Sequence, residues 1–162
     1  LWAQIENMDA IQARRKEIWN QYFEGLAGLG AKGCLQLPTI PDYATNNAHM
    51  FYIICRSLAE RSALIKYLKD NGILSVFHYL SLHKSGFYTS HPDFRPDHCK
   101  EIETISIVNF DGSTTEEVQV VGLDLPNCDH FADCLLRLPM FYELTDAEVS
   151  LILDRIHEFF SN

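Results

Sequence analysis

HMFYIICRSLAERSALIKYLKDNGILSVFHY, His49 to Tyr79, is the stretch that decides the fold. His49 to Cys55 is apolar, aromatic and β-branched, too short and too uniformly apolar for a surface helix, and it predicts a buried strand with Arg56 at its polar end. Ser57-Leu58-Ala59-Glu60 has the capping-box form, in which the Ser hydroxyl and the Glu carboxylate each satisfy an unpaired amide at a helix start. The helix runs to Asn71-Gly72, a left-handed stop, with Leu64, Ile65 and Leu68 on its inner face. Ile73 to Tyr79 is again apolar and β-rich. Strand, helix, strand in this order predicts an α/β layer (an α+β sandwich), a small sheet covered by helices on one side.

Outward from this unit, apolar residues recur at three- and four-residue steps from Leu1 to Leu29, through Trp2, Ile5, Met8, Ile11, Ile18, Trp19, Tyr22, Phe23 and Leu26. That is a long N-terminal helix with a wide apolar stripe, and Gly25 and Gly28 read as breakers near its end. The stripe is larger than a small domain covers, so the chain is expected to self-associate. A connector with Pro38 and Pro41 follows, Cys34 to Asn47. Thr104 to Phe110 and Glu117 to Leu123 are strand-like stretches around Asp111-Gly112-Ser113, which predicts an inserted β-hairpin. Cys128 to Leu138 reads as a short helix stopped at Pro139. Thr145-Asp146-Ala147-Glu148 is a second capping box, opening a terminal helix with Val149, Ile152, Leu153, Ile156, Phe159 and Phe160 inward.

The chain has 162 residues, 47% hydrophobic and 22% charged, with 13 Lys and Arg against 22 Asp and Glu, a net charge of −9. This predicts one domain, residues 1–162. The acidic balance argues against nucleic acid and against an anionic membrane surface, since both need clustered cations and the longest basic run is Arg14-Arg15-Lys16. The apolar runs fall below the roughly 18 residues of a membrane span, and the reading is a cytoplasmic protein. Five scattered cysteines predict reduced thiols rather than a disulfide framework. The amphipathic pattern is already running at Leu1, which is not Met, so the chain reads as a piece of something longer.

Three constellations bear on chemistry. His78-Tyr79-Leu80-Ser81-Leu82-His83 stands where the second strand gives way to a loop, where such folds present functional side chains. Its imidazoles titrate near neutrality and its phenol binds polar groups; the bland reading is that both histidines merely satisfy backbone carbonyls. His91, His98, Cys99, Cys128, His130 and Cys134 have zinc-ligand chemistry but not zinc spacing, and no metal is expected. Glu101, Glu103, Glu116 and Glu117 form no pair that the spacing singles out for acid–base work, and they read as a solvated face. No Gly-rich phosphate loop, nucleophile elbow or His-Glu-x-x-His occurs.

Asn47 to Ile53, Arg61 to Ile65 with Leu68-Lys69, Val76 to Tyr79 through Leu82-His83, and Leu135-Leu136-Arg137-Leu138-Pro139-Met140-Phe141-Tyr142-Glu143-Leu144-Thr145 resemble the C-terminal small domain of sugar-nucleotide aminotransferases. These form the pyridoxal phosphate (PLP)-dependent, fold-type I group that includes DegT, DnrJ, EryC1 and StrS. The resemblance makes residues 1–29 the helix linking a large domain to this small one, and residues 92–122 an insertion. It implies amino transfer from L-glutamate to a nucleotide-linked 4-keto-6-deoxy sugar, in a homodimer. His78, Tyr79 and His83 would be substrate-binding residues.

In this group a lysine of the large domain holds PLP as a Schiff base within a Ser-x-His-x-x-Lys motif. None of Lys16, Lys32, Lys66, Lys69, Lys84 or Lys100 lies in such a motif. The resemblance therefore implies no catalytic and no cofactor-binding residue in this chain, which is expected to be inactive alone, with the large domain as its partner. The rival expectation is a non-catalytic α/β interaction or regulatory module derived from the same domain.

Overall fold

The structure, a computed structural model, describes residues 2–91, 101–108, 114–121 and 125–161. Its elements are α1 (Trp2–Glu6), α2 (Met8–Ala31), β1 (Phe51–Ile54), α3 (Leu58–Asp70), β2 (Val76–Phe77), a 3-10 turn (Leu82–Lys84), α4 (Gly86–Ser90), β3 (Glu101–Val108), β4 (Thr114–Val121), α5 (Pro126–Cys134), β5 (Leu135–Leu138) and α6 (Asp146–Ser161). They separate into two compact units, residues 1–78 with 130–162, and residues 79–129.

In the first unit the sheet order is β1-β5-β2, both outer strands antiparallel to β5. The register sets Ile53 opposite Leu136 and Leu136 opposite Phe77; the next row is Tyr52, Arg137 and Val76. Side chains alternate along a strand, so Phe51, Ile53, Leu136 and Leu138 share one face. All four are buried in the core with Ile18, Tyr22 and Leu26 of α2, Leu64 and Leu68 of α3, and Val149, Ile152 and Ile156 of α6. The row Tyr52, Arg137 and Val76 lies on the opposite face. This is the expected small sheet covered by helices on one side.

The helix starts obey the sequence. Ser57 Oγ accepts from the Glu60 amide at 3.2 Å, while Glu60 accepts from the Arg56 amide at 2.7 Å, one residue before the cap. At α6 the exchange is fully reciprocal: Thr145 N–H donates to Glu148 Oε2 at 2.8 Å and Glu148 N–H to Thr145 Oγ1 at 3.3 Å. Gly72, at φ +77, ends α3 as expected, and a residue with a Cβ would be strained there.

Several expectations need correction. The segment 128–138 is not one helix: α5 ends at Cys134, and Leu135–Leu138 is the central strand. Two partner strands supply this short apolar run with ladders on both sides, which outweighs its local preference. The second strand is only Val76–Phe77, because only those residues face β5. Gly25 and Gly28 do not stop α2, which is interrupted at Asn7 and then continues to Ala31. At Gly25 α6 comes close: a Cβ there would lie 2.6 Å from Leu153 Cδ1, and His157 Nε2–H donates to the Gly25 carbonyl at 2.8 Å. The apolar stripe is buried at Ile18, Trp19, Tyr22, Leu26 and Leu29, but Trp2, Ile5 and Met8 are exposed.

The second unit contains the hairpin, β3 paired antiparallel with β4 from Glu101↔Val121 to Val108↔Thr114. Both strands begin about three residues earlier than the sequence suggested; the expected turn Asp111-Gly112-Ser113 lies outside the described residues.

Candidate functional site

The loop singled out by sequence begins where β2 ends. In the first unit, Arg61 on α3 is 7% exposed and its guanidinium carbon stands 5.2 Å from the centroid of the Phe77 ring. A cation over an aromatic face is attracted by the ring quadrupole, so α3 holds the last residue of β2. His78 follows, half-buried.

In the second unit Tyr79 is 70% exposed, Leu80 and Leu82 are exposed too, and Ser81 and His83 are buried. The inward residues converge on Asp129 of α5. Ser81 Oγ–H donates to Asp129 Oδ1 at 2.7 Å, His83 Nε2 lies 3.3 Å from the same oxygen, and Lys84 Nζ is 2.8 Å from Oδ2. The Lys84 ammonium first, then the Ser81 hydroxyl, hold the Asp129 carboxyl below its ordinary range. Ser81 and Lys84 hold the carboxylate, while the buried His83 Nε2 stands near it without a hydrogen bond; this is a clamp on the loop rather than a nucleophile–base relay.

No local pattern marks this clamp, since Asp129 is 45 positions from Lys84. A group whose folded pKa is depressed stabilises above its unfolded value, and that contribution disappears as pH falls through the folded one. Asp129→Ala is therefore expected to remove amide-exchange protection from residues 81–84 while leaving α6 unchanged. Lowering the pH of the native chain below about 4 is expected to do the same. Protection at 81–84 unaltered by either change would refute the clamp.

The other constellations do not assemble. Cys134 Sγ and His130 Nδ1 are 3.6 Å apart, one turn of α5 from each other. Among the described residues no group of three or more His, Cys, Asp or Glu is placed to hold a metal; His98 and Cys99 lie outside them. Cys34, Cys55, Cys128 and Cys134 are free thiols. Burial pushes the Cys55 thiol up to about 12, which makes it a poor nucleophile. The hairpin register sets Glu101 opposite Val121, Glu103 opposite Gln119, Glu116 opposite Ser106 and Glu117 opposite Ile105, so no two of these carboxylates are cross-strand partners.

A lysine that holds PLP needs a desolvated pocket. Lys16, Lys32, Lys66, Lys69 and Lys84 are all exposed, with Lys66 paired to Asp70 and Lys84 to Asp129. No described helix is long and apolar enough to cross a membrane.

The fold is thus a small sheet covered by helices on one face, with a loop after β2. The chain belongs to the DegT/DnrJ/EryC1/StrS aminotransferase family, whose model matches residues 1–122. Solved structures share the fold. The aminotransferase TlmJ from Streptoalloteichus hindustanus matches at 21% identity and TM-score 0.70, over 98% of this chain and 34% of its own. A DegT DnrJ EryC1 StrS aminotransferase from Brucella abortus matches at 21% identity and TM-score 0.68, over 100% of this chain and 34% of its own. The PLP form of Spr1654 from Streptococcus pneumoniae matches at 20% identity and TM-score 0.70, over 99% and 34%. The chain therefore spans about a third of the length of the structures it matches, as a small domain does.

Proposed function

We propose that residues 1–162 form the C-terminal small domain of a PLP-dependent aminotransferase that moves an amino group from L-glutamate to a nucleotide-linked 4-keto-6-deoxy sugar. In this reading residues 1–29 link it to a large domain and residues 92–122 are an insertion. The observation that carries the proposal is the family match over residues 1–122, joined to a fold that fills only a third of the matched structures. The motifs also resemble the dTDP-4-amino-4,6-dideoxygalactose transaminases of surface-polysaccharide synthesis, and we take that substrate class as the working choice. PLP, bound by the large domain, supplies the electron sink for amino transfer.

This chain's own part is to close one side of the substrate cleft, in a cytoplasmic homodimer. The His78–His83 loop lines that cleft. Tyr79 offers an accessible hydroxyl to the sugar nucleotide, His78 stands beside it in sequence, and His83 adds its imidazole from a loop held by Asp129. Support comes from the exposure of Tyr79 and from the hold of Asp129 on Ser81 and Lys84, which fixes that loop in advance.

The test compares two proteins. The 162-residue chain mixed with PLP and L-glutamate is expected to develop no visible cofactor absorbance and to release no 2-oxoglutarate. The full-length protein is expected to do both, and Tyr79→Phe in it should lower kcat/KM for the sugar nucleotide about tenfold, the loss of one hydrogen bond. Turnover by the 162-residue chain, or a full-length protein that ignores glutamate and nucleotide sugars, would overturn the reading. The latter result would favour the non-catalytic module.

A further inference from the structure

The face of the sheet opposite the helices holds a hollow of about 280 Å³ whose lining includes His49, Met50, Leu74, Val76, Arg137 and Pro139. Arg137 stands in its wall from the central strand, between Tyr52 on β1 and Val76 on β2. Its Nε is sealed from solvent with no hydrogen-bond partner, and the side chain makes no ion pair with any described residue. The side chain as a whole is half-buried, and a buried donor left without an acceptor, as Nε is, costs free energy. The chain carries nine more acidic than basic residues, yet no described carboxylate comes to it.

The approach to the hollow is built with care. Ala48 is buried and is the one described non-glycine residue in the left-handed region, at φ +48. Asn46 Oδ1 accepts from its amide at 2.8 Å, and Arg15 Nε–H donates to its carbonyl at 3.0 Å. A second Arg15 nitrogen donates to the His49 carbonyl. Backbone strain of this kind persists only where its surroundings over-determine it, and here it fixes the residue that enters β1 as the rim of the hollow.

We infer that this hollow is an oxyanion site, with Arg137 as the recognising group and a phosphate or carboxylate as its ligand. The planar fork of a guanidinium matches two oxygens of either group. A hollow of about 280 Å³ is smaller than the pockets that enclose drug-sized ligands, so it takes the anionic end of a molecule or a small anion. The inference uses the first unit alone and does not rest on the aminotransferase reading.

The experiment is calorimetric titration of the 162-residue chain with inorganic phosphate, pyrophosphate and L-glutamate in separate arms at fixed ionic strength. Saturable one-to-one binding is expected in at least one arm; the phosphate arms and the glutamate arm tell the two chemistries apart. Arg137→Met is expected to weaken that binding at least tenfold and Arg137→Lys to weaken it less, because an ammonium keeps the charge and loses the fork. Because Arg137→Met removes a strand residue, its fold is checked by circular dichroism. In parallel, the His49 ring resonances of the native chain are followed during titration, where a shift that saturates with the calorimetric signal is expected. No saturable binding of any probe by the folded native chain, unchanged affinity in a folded Arg137→Met, or binding that leaves His49 unmoved would each overturn the proposal.

Discussion

Replacing Phe51 by Ala is expected to cost about 3–5 kcal/mol of stability, the usual range for deleting a buried aromatic ring. Phe51 is fully buried and joins two elements at once. From β1 its ring packs edge-on against Trp19 at 5.4 Å between centroids, and tilted against Tyr22 at 5.2 Å. Trp19 in turn stacks on Phe23 at 5.1 Å. Ala would leave a cavity that α2 cannot close, since Tyr22 is also tied by its hydroxyl to the Pro139 carbonyl at 3.0 Å. Phe51→Leu keeps most of the volume and should cost much less. Urea unfolding of the three proteins checks the order; a loss below about 1 kcal/mol for Phe51→Ala would mean that α2 does not pack on this sheet.

The second large effect concerns Leu136. Leu136→Ala is expected to cost about 2–5 kcal/mol, and Leu138→Ala a comparable amount, because both are buried beneath the helices. Leu135→Ala should cost distinctly less, as Leu135 is only partly buried and takes the other face. The alternation separates a strand from a helix. Had this run continued α5, successive positions would be about 100° apart, and the ordering 136 and 138 above 135 would not be expected. Equal losses at 135 and 136 would contradict a central β5.

What the sequence discloses and what it hides differ in range. The starts of α3 and α6 were legible because a cap is a local device: the hydroxyl, the amide and the carboxylate lie within four residues of one another. The two strand-like stretches around Asp111-Gly112-Ser113 likewise disclosed a hairpin, although they placed both strand starts about three residues late. Leu135–Leu138 was not legible as a strand, for its pairing partners are Phe51–Ile54 and Val76–Phe77, far away in the chain. Gly25 was misread for a similar reason. Nothing near it says that Leu153 needs the space.

The same distinction holds for the site. The His78–His83 loop is marked in sequence by its residue types and its place after a strand, and the family resemblance on Asn47 to Tyr79 falls within residues 1–122, which the family model matches. Asp129, which holds Ser81 and Lys84, carries no local mark; it is one of 22 acidic residues. Arg137 sat in view inside Leu-Arg-Leu-Pro, but only the sheet makes it conspicuous, by setting it without a partner in a hollow.

The central claim is that this chain supplies the non-cofactor part of a sugar aminotransferase. The most direct test is to read the coding sequence immediately upstream of the Leu1 codon. The account predicts an open frame of about 200 residues, the size of a domain, that contains a Ser-x-His-x-x-Lys motif. A start codon directly before Leu1, or an unrelated domain in that frame, would contradict it.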